Sequence, residues 1–367
     1  IGKYLVIFLF MTATIGFVSG FLVADESMLY AYDESFEKYN VENGNFTTEQ
    51  KLTDNQRTRL EKEKVTIYEN FYKDEDVDTD LDSEPESTIR LFKTRTEVNL
   101  VCLMKGEMPQ QKDEIAIDRM YADNNSLEIG DTLESADGKY SWKITGYVAL
   151  PDYSCLFSDN NDTMFDAVKF GVGIVAPEGY KALEKEEQNY SYSWKYEKTP
   201  ADDTEAKEKA EDFMKVLSSK AVIAAYIPAF SNQAIHFTGD DMGGDKTMVM
   251  TLLYILIAIM AFVFAVTTNN TITKEAAVIG TLRASGYTRQ ELVLHYMTLP
   301  VLVTLVGALI GNILGYTVFK DVCAAMYYGS YSLPTYVTVW NAEAFLLTTV
   351  VPVIIMLVVN YGVLRHK

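Results

Sequence analysis

Residues 4–24 read YLVIFLFMTATIGFVSGFLVA, twenty-one positions without one Asp, Glu, Lys or Arg. About 20 apolar residues, rising ~1.5 Å each as a helix, cross a hydrocarbon core ~30 Å thick. The apolar region of a secretory leader is shorter, and no small-x-small cleavage site follows this stretch, so it reads as an uncleaved span. Three further runs share the property: Thr247–Thr273, Leu292–Phe319 with His295 neutral, and Ala344–Leu364, of 27, 28 and 21 residues. A buried helix of a large soluble protein can be as apolar as one such run. Four of them, each long enough to span, point to a membrane protein.

The charge is distributed accordingly. Of the 51 acidic residues in this 367-residue chain, 47 lie between Asp25 and Asp245, together with 24 of the 32 basic ones. The average of 48% hydrophobic and 23% charged residues, which suits a soluble protein, therefore conceals two different materials. A single soluble domain is excluded, and the strongly acidic segment repels phosphate, which excludes nucleic acid as a partner. Lys3, Lys274, Arg283, Arg289, Arg365 and Lys367 flank the spans on one side, where the loop joining the third and fourth spans has only Lys320 beside Asp321. Positive residues favour the cytoplasm, so both termini and the 274–291 loop are expected inside and the acidic segment outside. The predicted fold class is thus a membrane protein of four transmembrane α-helices, with a large extracellular α+β domain inserted between helices 1 and 2.

That domain, 25–246, keeps aromatic and β-branched residues throughout and can bury a core despite its charge. Strand-like runs recur at Val65–Phe71, Thr88–Lys93, Val98–Met104, Glu114–Ile117, Trp142–Leu150, Val168–Val175 and Ala221–Ile227. Helix-like runs separate them at Thr53–Lys64, Asp118–Asn124, Pro177–Gln188 and Asp203–Leu217. The stretch DEDVDTDLDSEPE at Asp74–Glu86 invites a calcium reading, but neither frame puts Gly and Glu where an EF-hand loop needs them, so it reads as a solvated acidic loop. Cys102 and Cys155 lie outside, where oxidation can join them; the apolar setting of Cys102 favours a buried free thiol. No Cys/His spacing suggests a metal. Asn45-Phe-Thr47 and Asn161-Asp-Thr163 are sequons that matter only in a glycosylating host.

Within the spans, His295 and Asn312 are the only candidates for an ion or proton path, and a midplane transport site is not indicated. Asn312 suits a hydrogen bond across helices, and His295 an interfacial position. Gly307, Gly311 and Gly315, each four apart, make a strip where another backbone can approach closely, and Gly16 and Gly20 repeat the device in the first span. Pro300 and Pro352 predict kinks or local unwinding in spans three and four.

Between the second and third spans, residues 273–292 read TKEAAVIGTLRASGYTRQEL. Val278, Ile279 and Leu282 make an apolar stripe on a helix over Lys274–Ala284, and Gly286 stands where a helix ends left-handed. Thr288-Arg-Gln-Glu291 has the capping-box form and starts the next helix. Gly280 in mid-helix costs about 1 kcal/mol relative to Ala, which suggests a surface that something else approaches closely. A helix lying on lipid headgroups would share the amphipathicity.

The segment KEAAVIGTLRASGYTRQEL closely resembles the signature of FtsX/MacB-type ABC transporter permeases. Val278-Ile279-Gly280-Thr281-Leu282-Arg283-Ala284 and Gly286 match it, whereas Ser285 replaces a large apolar residue and Tyr287 a small one. The stretch DEIAIDRMYADNNSLEIGDTL (Asp113–Leu133) resembles a recurring piece of the MacB-like extracellular domain, and the order of spans agrees. The resemblance implies a helix 1 at 1–24, an extracellular domain at 25–246 and an FtsX-like permease domain at 247–367, its spans at about 247–270, 292–319 and 344–364. It implies a coupling helix at 274–286, carrying Lys274, Glu275, Val278, Ile279, Gly280, Leu282, Arg283 and Gly286, that docks on a separate ABC ATP-binding subunit. ATP would be bound by that partner; no GxxxxGK[ST] loop is present in this chain, and no cofactor or catalytic residue of its own is expected.

The function so implied is that of a permease subunit in a bacterial cytoplasmic membrane. It would transmit the partner's ATP-driven motion to the extracellular domain to export or extract a lipophilic or peptide ligand. The alternatives are a non-transporting signal transmitter, such as a regulator of cell-wall hydrolases, and a membrane-anchored ligand sensor. Four spans call for a second permease copy or half in the bilayer, and the start at Ile1 without Met leaves open a longer, duplicated chain.

Overall fold

Inside hydrocarbon every backbone N–H and C=O has to be satisfied within the segment, which a helix does. The computed structural model describes residues 2–79, 85–183 and 188–366. Among them, four helical stretches are long and apolar enough to cross a membrane: Tyr4–Lys38, Gln233–Lys274, Arg289–Ser330 and Ala342–His366. An α/β domain stands between the first and second.

In chain order, α1 (Gly2–Lys38) is followed by β1 (Gly44–Thr48), α2 (Asp54–Leu60), β2 (Val65–Glu69), β3 (Tyr72–Asp78), β4 (Ser87–Lys93) and β5 (Cys102–Gly106). Next come β6 (Glu114–Asp118), α3 (Arg119–Asn124), β7 (Thr132–Ser135), β8 (Ser141–Ala149), β9 (Phe170–Val175), α4 (Pro177–Leu183), β10 (Tyr190–Tyr196), α5 (Asp203–Ser218) and β11 (Ile223–Pro228). The chain closes with α6 (Gln233–Lys274), α7 (Ala276–Ala284), α8 (Arg289–Leu314), α9 (Lys320–Ser330), α10 (Ala342–Phe345) and α11 (Val351–His366). Two compact units result: Ile1–Tyr30 with Met242–Met326 and Val337–Lys367, and Ala31–Asp241 with Tyr327–Tyr336.

The second unit holds two sheets. The larger has the order β5-β8-β6-β9-β4-β3-β7, and mixes parallel pairs (β4 with β9, β6 with β8) with antiparallel ones. Its strands bury Ile89, Leu91, Ile117, Ile144, Val148, Val172 and Ile174 completely. The smaller sheet, β11-β1-β10-β2, is antiparallel. Trp194 fills its core, stacked on Tyr226 at 4.9 Å between ring centroids and packed against Phe213 of α5 at 5.3 Å. α5 itself is capped by Asp202, whose carboxylate accepts the Glu205 N–H at 2.9 Å, and it turns Ala210, Phe213 and Leu217 inward. A buried polar cluster joins chain segments across this unit. Asn99 Nδ2 donates to Glu42 Oε2 at 2.8 Å, and Arg95 donates to Asp152 at 2.8 Å and to Asn70 at 3.0 Å.

The acidic stretch expected as a solvated loop is instead a strand in its first part. β3 runs Tyr72–Asp78 and pairs with β4, placing Asp74 opposite Arg90. Arg90 meets that carboxylate in a two-pronged pair at 2.7 and 2.8 Å, while Lys73 reaches Glu75 at 2.9 Å. Two of the carboxylates of β3, Asp74 and Glu75, are thus paired with a cation, one across the sheet and one along the strand. Residues 80–84 of the same stretch, and 184–187 of the helix expected to reach Gln188, lie outside the described residues. Strands β1, β7 and β10 arise where no strand was expected. The three cysteines are free and buried. Cys155 stands 3.1 Å from the Thr238 hydroxyl and Cys102 3.7 Å from Met104 sulfur.

In the first unit, π turns at Gly315–Phe319 and Leu346–Val350 widen the helices between α8 and α9 and between α10 and α11. The second ends two residues before Pro352, which has no N–H for the Thr348 carbonyl. In the third span the widening falls well past Pro300, at the glycine whose neighbour is another helix's backbone.

Candidate functional site

The loop between spans two and three is built by two stop signals and a start signal. α6 ends at Lys274, and a break at Glu275 turns the chain into the nine-residue α7. Gly286, at φ +99°, closes α7: its N–H donates to the Arg283 carbonyl at 3.1 Å and that of Tyr287 to Leu282 at 3.1 Å. This pairing is the glycine-terminated helix end that L-residues resist. Thr288 then caps α8, accepting from Glu291 N–H at 3.3 Å while Glu291 accepts from Thr288 N–H at 2.8 Å. Tyr296 of α8 donates to the Glu275 carboxylate at 2.7 Å and braces the break.

The apolar stripe of α7 divides between two faces. Val278 is 55% exposed, and a Cβ on Gly280 would meet nothing within 4 Å. Ile279 and Leu282 are half-buried, and Ile279 faces the ends of the spans. Lys274, Glu275, Arg283 and Gly286 are exposed. One face of this short helix is therefore open to a partner, and its narrowest point is a glycine.

The span glycines meet one another. A Cβ on Gly311 would lie 2.8 Å from Ile15 Cγ2 and 3.1 Å from the Thr12 carbonyl, and one on Gly315 3.1 Å from the Gly16 carbonyl. Gly16 faces Phe319 and the Gly311 carbonyl, and Gly20 faces Phe319 and Lys320. Gly307 has ordinary contact distances, 3.6 Å to Met11 Cβ. Asn312 completes this contact. Ser19 and Thr348 both donate to its Oδ1 at 2.9 Å, and its Nδ2 donates to the Ala308 carbonyl and Thr349 hydroxyl at 2.9 Å, so spans one, three and four share one amide. Asn360 plays the same part between spans two and four, accepting from the Thr268 hydroxyl. His295 is exposed, its ring edge-on to Tyr296.

A second constellation escaped sequence reading. Asp118, fully buried, caps α3 by accepting from Met120 N–H at 2.8 Å and Tyr121 N–H at 3.2 Å. Its other oxygen accepts the Ser332 hydroxyl. The neighbouring Arg119 donates to the carbonyls of Tyr328 at 2.6 Å and Tyr331 at 2.9 Å, with its guanidinium 5.1 Å from the Tyr328 ring centre. Ser332 N–H donates to Ser154, whose hydroxyl bonds the Thr238 hydroxyl at 2.9 Å, and Tyr331 donates to Asp241. Residues 327–336, from the loop between spans three and four, are thereby clasped to α3 and to the first turns of α6. The signal was available: Asp118-Arg119 lies inside Asp113–Leu133, and an aspartate before a helix is a cap.

Residues 250–367, about a third of the chain, match the model of the family described as FtsX-like permease C-terminal. The expected likeness to FtsX-like permeases is therefore found over the last three spans and the loop between them. Among solved structures, the periplasmic region of MacB from Actinobacillus actinomycetemcomitans is similar at 11% identity, over 48% of this chain and 85% of that one, with a TM-score of 0.30. No curated protein matches the sequence.

Proposed function

We propose that this multi-pass membrane protein is the permease subunit of an ABC transporter of the MacB/FtsX type. The family match over 250–367 supports an ABC-type permease subunit. The observation that carries the finer reading is α7, a short helix set off by the break at Glu275 and closed by Gly286 between two spans, with Val278 and Gly280 exposed. A separate ATP-binding subunit docks on that face from the cytoplasm, where both termini lie, and a second permease copy or half completes the assembly. The outer α/β domain receives the motion and exports or extracts a lipophilic or peptide ligand. In this reading ATP is bound by the partner subunit.

The polar side chains buried among the spans support transmission through packed helices over conduction along a polar path. Among the described residues of the runs 4–24, 247–273, 292–319 and 344–364, the buried polar side chains are Thr12, Ser19, Thr268, Thr304, Asn312, Thr348 and Asn360, all uncharged, while the buried Asp25 stands just past the first run. They equally favour a non-transporting transmitter. Reconstitution with the ATP-binding subunit in vesicles tests the proposal. ATP-dependent change in outer-domain label distances, with ligand appearing on the outer side, supports a transporter. Motion without ligand movement supports a transmitter, and no ATP-dependent motion contradicts both.

A further inference from the structure

At the loop end of the spans, α7 and the helices around it leave a cavity of about 330 Å³, at the lower end of ligand-site volumes of about 300–1,000 Å³. It is lined by apolar side chains, Ile272 from the end of α6, Ile279 from α7, Leu292 and Val293 from α8 and Leu364 from α11, together with Tyr296 and the two arginines Arg283 and Arg289. Neither arginine has a carboxylate partner among the described residues: Arg289 donates to the Arg365 carbonyl, and Arg283 is exposed. Of the two nearby carboxylates, Glu275 accepts from Tyr296, itself a lining residue, and Glu291 from Thr288, so neither is paired with an arginine.

The height of this cavity is fixed by the chain. Spans two, three and four end or begin at Lys274, Arg289 and His366, so the cavity lies where apolar helix gives way to polar loop. That is the level of phospholipid phosphates on whichever side of the membrane the loop stands. A greasy cavity with two unneutralised guanidinium groups at this depth is complementary to one kind of molecule: an anionic group joined to hydrocarbon. We infer that the cavity between α7 and the ends of spans two, three and four is a binding site for an anionic phospholipid. Its phosphate would meet Arg283 and Arg289, and its acyl chains would run along the apolar walls. This site does not depend on an ATP-binding partner, and its occupant touches the inner face of α7, opposite Val278.

The test uses the full chain, purified in detergent and examined by native mass spectrometry after addition of phosphatidylglycerol or phosphatidylcholine. The expected result is retention of phosphatidylglycerol over phosphatidylcholine by about tenfold, falling to near parity in the Arg283→Gln/Arg289→Gln double variant. Lys320→Gln, at the other end of the third span, should leave the preference unchanged. Equal retention of the two lipids by the unaltered chain would overturn the inference without needing any variant to fold. So would a preference that survives the double substitution. Displacement of phosphatidylglycerol by millimolar glycerol 3-phosphate would show a phosphate-ion site and overturn the lipid assignment. Because the permease is measured alone, failure here leaves the ATP-binding-subunit proposal standing, and the reverse also holds.

Discussion

Arg119 donates through Nη2 to the main-chain carbonyl of Tyr328 at 2.6 Å, across 209 residues of sequence. The same nitrogen reaches the Tyr331 carbonyl, so one guanidinium holds the end of α9 and the irregular segment after it. Arg119→Ala would strip both carbonyls of a charged donor, a loss of about 2 kcal/mol. Amide hydrogen exchange at Tyr331 and Ser332 should accelerate markedly while the sheet core stays protected. Unchanged exchange there would show that the clasp is ornamental.

Asp118 should make this unit's stability depend on pH. Burial, opposed by the Ser332 hydroxyl, the Tyr121 N–H and Arg119, raises its carboxyl from 3.8 to about 6. Between those values the folded form binds the proton more tightly than the unfolded chain. The contribution is therefore fully present below about pH 4 and is lost as pH rises through 6, on the order of 2–3 kcal/mol. Asn at 118 can still cap α3 while donating to Ser332, so Asp118→Asn should flatten the slope of melting temperature between pH 4 and 7. Glu42 and Asp152, also raised by burial, remain in both proteins. Identical slopes in the two proteins would remove Asp118 as the source.

Gly311→Leu should separate spans one and three. Its Cβ alone would press on Ile15 and on the Thr12 backbone, which cannot step aside. A destabilisation of about 1–3 kcal/mol is expected, read as a lower melting temperature in detergent. Gly329→Leu, where the added side chain meets open space, is the control. Equal melting of the two variants would count against the glycine contact.

The orientation of the spans is open to direct labelling. In a background whose three buried cysteines are replaced by serine, single cysteines at the exposed Ser231 and Ser330 should react with an impermeant reagent from outside the cell. One at Ser285 should react only after permeabilisation. Labelling of position 285 in intact cells would invert the scheme.

The membrane helices were legible because hydrocarbon leaves one solution for a long uncharged run. The loop was legible because Gly286 and Thr288–Glu291 are local signals with local causes. β3 was not: its alternation of Lys73, Glu75 and Val77 against Asp74 and Asp76 becomes a strand only once Arg90 on β4 is opposite Asp74, a pairing the local sequence does not contain. β10 likewise depends on partners from both flanking strands, β1 and β2. The Asp118–Arg119 clasp needs residues two hundred positions away, which the helix-like run Asp118–Asn124 does not contain. The stripe on α7 was visible, but its division into an open Val278 and an inward Ile279 followed from how the spans end.

That division selects the decisive substitution. Val278 is the large apolar side chain that α7 exposes, so Val278→Asp changes the face offered to a partner and leaves the face toward the spans intact. The measurement is affinity of the full chain for its ATP-binding subunit, with ATP hydrolysis recorded alongside. Burying an unpaired carboxylate at an interface costs several kcal/mol, so binding should weaken by a hundredfold or more. Hydrolysis should fall to that of the ATP-binding subunit alone, with melting temperature and lipid retention unchanged. Undiminished affinity and hydrolysis in Val278→Asp would contradict the account.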